Sequence, residues 1–424
     1  MKLALVTPRY GGEITTGAEY ACRLLAEQLS LRHDVEVLTT TARDKRTWKN
    51  EYAEGADRIR GVLVRRFAVN QPHEANAFRQ FSDRILNAPR SRTEEMEWVR
   101  RLGPSAPGLV EHLKRQQRTY DALVFFSLIH WTTVHGIVVA PERSILFPCL
   151  RLGPILRFGL WREMIGSARA IGLVSGAERK ILHSYIGSPA PREELVGVGI
   201  DPSHRQAYPR HQQDPADEPV GDEDTAGADE NLLPDDDRAD RGIPFRRRHR
   251  LYGPMVLYGG RIEPDNGCEE MLEYFDAYAA HDGETALVLM GVKMMKVPDE
   301  PYVRHAGILP DRERMVAYEA ADVTIAPGSD DALALSVLES FAVGTPVLAC
   351  ARNAAAVEHC RRAGAGLYYA NRQEFVEGLR MLMSRVKLRE QLGESGRQYV
   401  RQYYRWDAVL GRFERLVTLV RARG

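Results

Sequence analysis

Short apolar runs alternate with helical patterns through most of the chain. Leu3 to Thr7 is typical of a buried strand, Ala18 to Leu31 has apolar residues at helical spacing, and Val35 to Thr39 is typical of a strand again. This order predicts a βαβ unit, and such units build parallel sheets that bind ligands at the carboxyl ends of their strands. Further strands of the first half are predicted at Val62–Phe67, Ala122–Ser127, Ser144–Cys149 and Ala170–Val174.

The second half of the chain repeats this pattern. Strands are predicted at Met255–Tyr258, Ala286–Met290, Val323–Ala326, Pro346–Ala349 and Leu367–Tyr369, and helices at Gly267–Ala280, Asp311–Ala321, Leu335–Val343 and Arg372–Ser384. We therefore predict an α/β protein with two doubly wound, Rossmann-like domains, at residues 1–202 and 251–403. Two closing helices are predicted between Leu388 and Ala422, with a break near Tyr403–Trp406.

A different kind of segment separates the two domains. Residues 211–241 contain twelve acidic residues, two arginines and very few apolar residues. Such a stretch buries too little apolar surface to offset the entropy lost on ordering. We predict a linker at 203–250 with a disordered acidic insertion. A solvated tether is one interpretation of it, and an acidic flap that competes at a basic site is the other.

Composition and charge exclude several classes of protein. The 58 Lys and Arg balance the 58 Asp and Glu, which argues against a nucleic-acid binder. Five scattered cysteines without a CxxC pair do not form a disulfide framework, and no zinc spacing or Walker motif is present. The N-terminus lacks a signal-peptide core and no apolar run approaches membrane-span length. We expect a cytoplasmic protein without a metal site, and leave peripheral membrane contact open.

The strongest local signal is GSDDALALSVLESFAVGTPVLA, from Gly328 to Ala349. A strand ends here, an acidic turn follows, and a helix begins near Leu335 and Ser336, whose backbone N–H groups suit a diphosphate. The carboxylates of Asp331 and Glu339 suit sugar and ribose hydroxyl groups, because each accepts two hydrogen bonds. The ordinary alternative makes Asp331 a helix cap and Glu339 a surface residue of the helix.

This arrangement resembles the nucleotide-binding half of the retaining GT-B glycosyltransferases, glycosyl transferases group 1, which include sucrose-phosphate and mannosyl transferases. The family pattern is a Glu, seven residues, a second Glu, and then Ala-x-Ala-x-Gly-x-Pro-Val. Here Asp331, seven residues and Glu339 precede Ser340, Ala342, Gly344, Pro346 and Val347. The resemblance implies that Asp331 lies near the transferred sugar and that Glu339 binds the ribose. It also implies the GT-B fold, with a C-terminal segment, 404–424, that crosses back to the first domain.

Further matches to this family lie upstream. Gly260-Arg261-Ile262 followed by Asn266-Gly267 resembles its phosphate-binding Gly-Arg-Leu/Ile and Lys-Gly signature, with Asn266 in the place of the lysine. The segment around Gly307 resembles the loop beside the nucleotide base. Arg261 suits this place because a guanidinium group binds phosphate through two hydrogen bonds.

The first domain carries weaker signals. Gly12 and Glu13 lie in a Gly-rich loop after the first strand, where the family's backbone approaches donor phosphate and acceptor. Many members place a His after the strand that matches Ser144–Cys149, and here Arg151 stands in that neighbourhood. His130 is a further candidate for contact with the sugar or acceptor. Two bacterial motifs, Thr47–Tyr52 and Val62–Phe67, match without an assigned role.

The resemblance implies transfer of a hexose from a nucleoside diphosphate sugar to an acceptor that the sequence does not specify, with retention and without a further cofactor. Arg261 and Asp331 are the predicted catalytic residues. Two alternatives stay open, because Asp331, Asn266 and Arg151 all depart from the family pattern. They are a non-catalytic GT-B protein that binds a nucleotide sugar or partners an active transferase, and a UDP-sugar epimerase. Donor base, acceptor and oligomeric state stay open too.

Overall fold

A computed structural model describes residues 1–14, 17–71, 73–186, 192–201, 242–328 and 332–421. The chain divides into two compact units. The first unit comprises Met1–Gly199 with Trp406–Gly424, and the second comprises Ile200–Arg405. These boundaries lie within three residues of the predicted domain ends at 202 and 403. The acidic insertion of residues 211–241 lies outside the described residues.

The sheet of the first unit has the strand order β3-β4-β2-β1-β5-β6-β7-β8. Every neighbouring pair is parallel except the hairpin of β3 and β4. Because helices cover both faces of a parallel sheet, its central strands are continuous apolar runs. The strands are β1 (Lys2–Val6), β2 (Asp34–Thr40), β3 (Gly55–Ile59), β4 (Val62–Phe67), β5 (Ala122–Phe126), β6 (Ser144–Phe147), β7 (Ala170–Leu173) and β8 (Arg192–Leu195).

The last helix of the chain belongs to this first unit. It begins at Trp406, directly after the predicted break, and its Phe413 stacks on Phe147 of β6. The return of the C-terminal segment to the first domain is therefore confirmed. The helices of this unit are α1 (Gly17–Leu29), α2 (Ala75–Leu86), α3 (Arg92–Leu102), α4 (Pro107–Gln116), α5 (Trp131–Ile137), α6 (Gly159–Ser167), α7 (Gly176–Ile186) and, at the C-terminus, α15 (Trp406–Arg421).

The sheet of the second unit is parallel throughout its described strands, in the order β11-β10-β9-β12-β13-β14. Its strands are β9 (Met255–Gly259), β10 (Ala286–Met290), β11 (Val303–Gly307), β12 (Val323–Ala326), β13 (Val347–Cys350) and β14 (Gly366–Tyr369). Its helices are α8 (Ile243–Arg248), α9 (Cys268–Asp282), α10 (Asp311–Ala320), α11 (Leu335–Val343), α12 (Ala354–Ala363), α13 (Arg372–Ser384) and α14 (Val386–Tyr403). None of the helices in the described part of the chain is long and apolar enough to cross a membrane.

Helix α8 and strands β3 and β8 are among the elements that differ from the sequence-based expectation. Helix α8 lies inside the predicted linker, where Phe245 is buried and Arg246 donates to the carbonyl of Ala320 at 2.9 Å. The sequence pattern does not reveal this helix, because three arginines follow Phe245 directly. Strands β3 and β8 were not predicted because both lie at the edges of the sheet and lack the apolar alternation that marks a strand: β3 (GADRI) is mostly exposed, and β8 (REEL) is mostly charged.

Candidate functional site

The second sheet changes winding direction between β9 and β12. The chain continues from β9 to β10 on one side, whereas β12 lies on the other side. Ligands of open α/β sheets bind outside the carboxyl ends of the strands at such a reversal. The loops at this place begin with Gly260-Arg261 after β9 and Pro327-Gly328 after β12, so two of the sequence signatures meet at one point of the fold.

Glycines allow these loops to approach one another closely. A Cβ atom on Gly267, whose φ is +73°, would lie 2.5 Å from the backbone nitrogen of Gly328. A Cβ atom on Gly291, at the end of β10, would lie 2.0 Å from the carbonyl oxygen of Gly260. Only glycine fits either position, and the absence of side chains leaves backbone at the surface of the edge.

Arg261 is anchored through its backbone, while its side chain stays at the edge. Its carbonyl oxygen accepts hydrogen bonds from the hydroxyl of Tyr258 and the amide of Asn266, both at 2.8 Å. Its guanidinium group pairs with Glu263, and its side chain is 22% exposed. The Asn266 amide therefore serves the loop in this structure, and its predicted contact with phosphate stays a prediction.

Helix α11 begins at the same edge, shortly after β12. Its N-cap residue, Ala334, has left-handed backbone angles, with φ at 45°, and no side chain caps the helix. An alanine in this region is strained, and such strain is often found at functional sites. The first turn carries Leu335 and Ser336, the predicted backbone donors. Asp331 lies outside the described residues, so its predicted role stays untested.

Glu339 is buried on α11, which contradicts its interpretation as a surface residue of the helix. Its Oε1 accepts a hydrogen bond from Arg314 of α10 at 2.8 Å, and Arg314 also pairs with Asp311 at 3.1 Å. Burial raises the pKa of the Glu339 carboxyl, and the charge of Arg314 opposes this increase. One carboxylate oxygen is thus held by a cation inside the second unit.

The predicted base-side residue, Gly307, ends β11 two strands away from the reversal. Its carbonyl oxygen accepts from the backbone nitrogen of Gly291 at 2.7 Å, which joins the loops after β10 and β11. Three apolar side chains beside this junction are exposed, with Ile308 at 68%, Val292 at 40% and Met294 at 37%. The edge therefore carries apolar surface next to the backbone-rich loops.

The first unit has its own reversal, between β1 and β5. Directly after β5, the Nδ1 of His130 lies 2.8 Å from the hydroxyl oxygen of Ser127, and its ring contacts Trp48 edge-on. Desolvation lowers the pKa of His130 to about 4, so the imidazole is neutral at pH 7. The structure therefore places His130 at the carboxyl edge of its sheet, next to the winding reversal.

Charged side chains cluster around His130. Arg9, in the loop after β1, pairs with Glu19 of α1 at 2.9 Å. Burial opposes ionisation of Glu19, but Arg9, His130 and Lys45 hold its pKa below the usual value. Neither Arg9 nor Glu19 was predicted from the sequence as a site residue, because no motif contains them both.

The predicted residues Gly12 and Glu13 lie in the loop between β1 and α1. Arg23 donates to the carbonyl of Gly12, and the Tyr52 hydroxyl donates to Glu13. The Arg66 guanidinium lies over the Tyr52 ring, 4.2 Å from its centroid.

Arg66 also donates to the carbonyl of Tyr10, at 3.0 Å. Tyr52 is the last residue of one bacterial motif, and Arg66 is the penultimate residue of the other; neither motif had an assigned role. Both motifs therefore contribute to holding the glycine loop in place.

The other first-unit candidate, Arg151, is exposed after β6. Beside it, the carboxylate of Glu178 on α7 accepts from the backbone nitrogens of Leu150 and Val174, at 2.9 and 2.7 Å. Glu178 is fully buried, and burial raises its pKa to about 7. Its hydrogen bonds join the loops that follow β6 and β7.

Among the described residues, no cluster of His, Cys, Asp or Glu has an arrangement that could hold a metal ion.

Comparison with known proteins agrees with this geometry. Residues 243–399 match the sequence profile of the family described as glycosyl transferases group 1. Solved structures are similar over the whole chain. They include sucrose-phosphate synthase from Thermosynechococcus elongatus, with a TM-score of 0.69, 15% identity and 100% of each chain covered.

Two further structures have the same fold. HepE of Anabaena in complex with UDP and glucose gives a TM-score of 0.65 at 14% identity, with 99% of each chain covered. WaaG, a glycosyltransferase involved in lipopolysaccharide biosynthesis, gives 0.61 at 15% identity, with 100% of each chain covered. The predicted fold class, with two parallel-sheet domains of the GT-B type, is confirmed. The resemblance stated from the sequence is confirmed as well: residues 243–399 match the glycosyl transferases group 1 profile, and the chain as a whole has the GT-B fold.

Proposed function

We propose that the protein transfers a hexose from a nucleoside diphosphate sugar to an acceptor, with retention at the anomeric carbon. One observation carries the donor site. Arg261, the first turn of α11 and the glycine-lined loops occupy the same carboxyl edge at the winding reversal of the second sheet. A guanidinium group and free backbone N–H groups are the donors that a diphosphate requires.

In this proposal the leaving diphosphate is stabilised by Arg261 and by the backbone N–H groups of Leu335 and Ser336. Stabilising the charge that develops in the transition state is usually the largest catalytic contribution. Glu339 accepts hydrogen bonds from the ribose through its carboxylate, which Arg314 holds in place. Asp331 contacts the transferred sugar, and the loops at Gly260 and Gly307 lie beside the nucleotide. These groups act without a metal ion.

We further propose that the new glycosidic bond forms on the face from which the diphosphate departs, which retains the anomeric configuration. No protein nucleophile is required, because the departing diphosphate accepts the proton of the acceptor hydroxyl. The acceptor binds at the edge of the first unit that carries His130, Gly12 and Glu13, with Arg151 on the adjoining loop. We place the reaction in the cytoplasm, where the five cysteines, all free in the structure, stay reduced.

Incubation with a panel of UDP-, GDP- and ADP-sugars tests the proposal. The HepE structure with UDP and glucose makes UDP-glucose the first donor to examine. We expect transfer, or slow donor hydrolysis without acceptor, that persists in excess EDTA. The Arg261→Gln variant should lose this activity, whereas Arg304→Gln, an exposed arginine on β11, should keep it. Absence of both reactions across the panel would contradict the proposal.

A non-catalytic nucleotide-sugar-binding protein is the second candidate. Asn266 favours it, because this residue replaces the lysine of the resembled signature and its amide donates to Arg261 instead. In that case calorimetry would detect nucleotide binding that weakens in Glu339→Ala, while no donor would be consumed.

A further inference from the structure

We infer that Glu178 is a positioning residue for the proposed transfer, which acts by holding the loop that carries Arg151. The inference rests on the proposed function, in which Arg151 lies on the acceptor side. Glu178 has no part in the chemistry proposed for either sheet edge, although it is fully buried beside one of them.

The start of α7 uses only one of the two carboxylate oxygens of Glu178. The Oγ of Ser175 accepts from the backbone nitrogen of Glu178 at 3.1 Å, and the Oε2 of Glu178 accepts from the backbone nitrogen of Val174 at 2.7 Å. These bonds resemble a capping box, in which a Ser and a Glu three residues later satisfy the first N–H groups of a helix. The cap therefore leaves the Oε1 of Glu178 for a second contact.

This second oxygen reaches the loop after β6. It accepts from the backbone nitrogen of Leu150 at 2.9 Å, across 28 residues of the chain. The preceding residue, Cys149, has left-handed backbone angles, with φ at 52°. Such strain persists only where the surrounding structure holds it. Glu178 therefore fixes a strained turn that directly precedes Arg151.

The loop after β6 is also tied to the loop after β5. The backbone nitrogen of Leu128, two residues before His130, donates to the carbonyl of Pro148 at 3.0 Å. Three loops of one carboxyl edge, after β5, β6 and β7, are thus joined by hydrogen bonds, and Glu178 joins the last two. A displacement of the middle loop would move Arg151, and small misplacements of contact groups lower reaction rates strongly.

Ionisation determines how firmly Glu178 holds both loops. Burial raises its pKa to about 7, and the backbone N–H groups of Val174, Leu150 and Cys149 oppose this rise. A carboxylate accepts through both oxygens, whereas protonation turns one of them into a hydroxyl group with a proton to donate. Glu178 therefore holds both loops best above pH 7.

The other titratable groups around this loop keep their charge near neutral pH. Burial raises the pKa of the Cys149 thiol well above its usual value; the charge of Glu178 adds to this rise, and the charge of Arg151 opposes it. Burial likewise raises the pKa of Cys22 on α1, and His130 is neutral because its pKa is about 4. An arginine stays protonated in proteins. Of these groups, Glu178 is the one that changes charge near pH 7.

The Glu178→Gln variant of the full-length protein tests the inference. Glutamine has nearly the same shape, cannot ionise and offers one acceptor oxygen. Hydrogen–deuterium exchange measures the loop directly. Peptides that contain residues 148–151 should exchange at least tenfold faster in the variant than in the wild-type protein at pH 8, and the difference should shrink towards pH 6. Equal exchange at both pH values would overturn the inference.

The reaction rate shows whether the position of the loop matters for transfer. With UDP-glucose, or whichever donor of the panel is consumed, the kcat of the wild-type protein should rise between pH 6 and pH 8. In Glu178→Gln, kcat should be about tenfold lower at pH 8, with an unchanged KM for the donor and without that rise. Faster exchange beside an unchanged rate and pH profile would show that Glu178 only stabilises the fold, which overturns its positioning role.

Glu95→Gln is the matched control for the loss of a buried carboxylate. Glu95 is buried and accepts from the backbone nitrogens of Gly159 and Leu160, both at 2.9 Å, at the start of α6. This variant loses the same kind of contact without touching the loop of Arg151, so it should keep the wild-type pH profile. Loss of the rise in Glu95→Gln as well would attribute the profile to general destabilisation and overturn the inference.

Arg151→Gln keeps the inference testable if Glu178→Gln does not fold, because Arg151 is exposed. It should lower kcat and lose the rise between pH 6 and pH 8, since that rise acts through the loop that carries Arg151. A full rise in Arg151→Gln would overturn the inference while the donor site stands. If the wild-type protein binds no UDP and consumes no donor, the proposed function fails, and the positioning role fails with it.

Discussion

The carboxyl edges of the two sheets occupy equivalent places in their units and have different chemistry. The edge of the second unit is formed by glycines, backbone and one arginine, with Glu339 buried behind it on α11. The edge of the first unit is formed by side chains, with His130, Glu19, Arg9 and Arg43 around one short glycine loop. Both edges lie at a winding reversal, so topology alone does not distinguish them.

This difference corresponds to two kinds of ligand, a diphosphate and an acceptor. A diphosphate needs close approach of backbone N–H groups, which restricts the residue type at several consecutive positions and leaves a motif. A varied acceptor needs particular side chains that distant parts of the chain bring together. The second edge can therefore be identified from sequence, whereas the first becomes visible only after folding.

Of the variants that test this difference between the edges, Arg261→Gln should have the largest effect on UDP binding. Loss of a charged hydrogen-bond donor to phosphate should weaken UDP binding about 100-fold, roughly 2.7 kcal/mol. Isothermal titration calorimetry measures it, with Arg304→Gln as the control on β11. Equal affinity in the variant and the wild-type protein would show that the second edge does not hold the diphosphate.

Gly267→Ala should weaken UDP binding about tenfold and lower the free energy of unfolding by about 1–3 kcal/mol. The new methyl group would clash with Gly328 and displace the loop that carries Arg261. Gly364→Ala is the matched control, because Gly364 has φ of +59° and nothing within 4 Å of its added Cβ. Both variants should lose stability, but only Gly267→Ala should lose nucleotide affinity; a similar loss in both would refute the role of the close approach.

His130→Gln should affect only the edge of the first unit. We expect a roughly tenfold lower transfer rate with unchanged UDP affinity, since His130 belongs to the first unit and general acid–base or hydrogen-bonding contacts contribute at least this much. Steady-state kinetics combined with calorimetry separates the two quantities. A loss of UDP affinity in this variant would remove the functional distinction between the edges.

Arg314→Met should have the smallest effect, which should appear mainly in how UDP affinity depends on pH. Burial raises the pKa of Glu339 and Arg314 opposes it, so removing the cation raises that pKa further. Because the ionised carboxylate accepts the ribose hydrogen bonds, UDP affinity should fall as pH decreases, and the fall should begin at a higher pH in the variant.

We expect a roughly three- to fivefold loss of affinity at the acidic end of the pH profile, with recovery as the pH rises. Arg312→Met, an exposed neighbour, is the control. An unchanged pH profile would show that Arg314 does not tune Glu339.

The sequence predicted the fold and much of the second edge for a physical reason. Buried parallel strands are continuous apolar runs, and Gly260, Gly267 and Gly328 stand where backbone must come close. The edge strands β3 and β8 lack such a signal. The pairing of Arg314 with Glu339 joins residues 25 positions apart on different helices, so no local pattern contains it.

The first edge was predicted only in outline. Gly12, Glu13 and His130 were identified from their places near strand ends, but their partners were not. Tyr52 reaches Glu13 across 39 residues, and Arg66 reaches Tyr10 across 56. The two motifs that supply these partners were visible in the sequence, and only the fold shows what they contact.

A crystal structure of the protein soaked with UDP tests the central claim most directly, because it shows which edge receives the nucleotide. The account predicts the diphosphate within hydrogen-bonding distance of Arg261 and the first turn of α11, with the ribose hydroxyl groups on Glu339. A nucleotide bound instead beside Arg9 and His130 in the first unit, with Arg261 and Glu339 untouched, would contradict it.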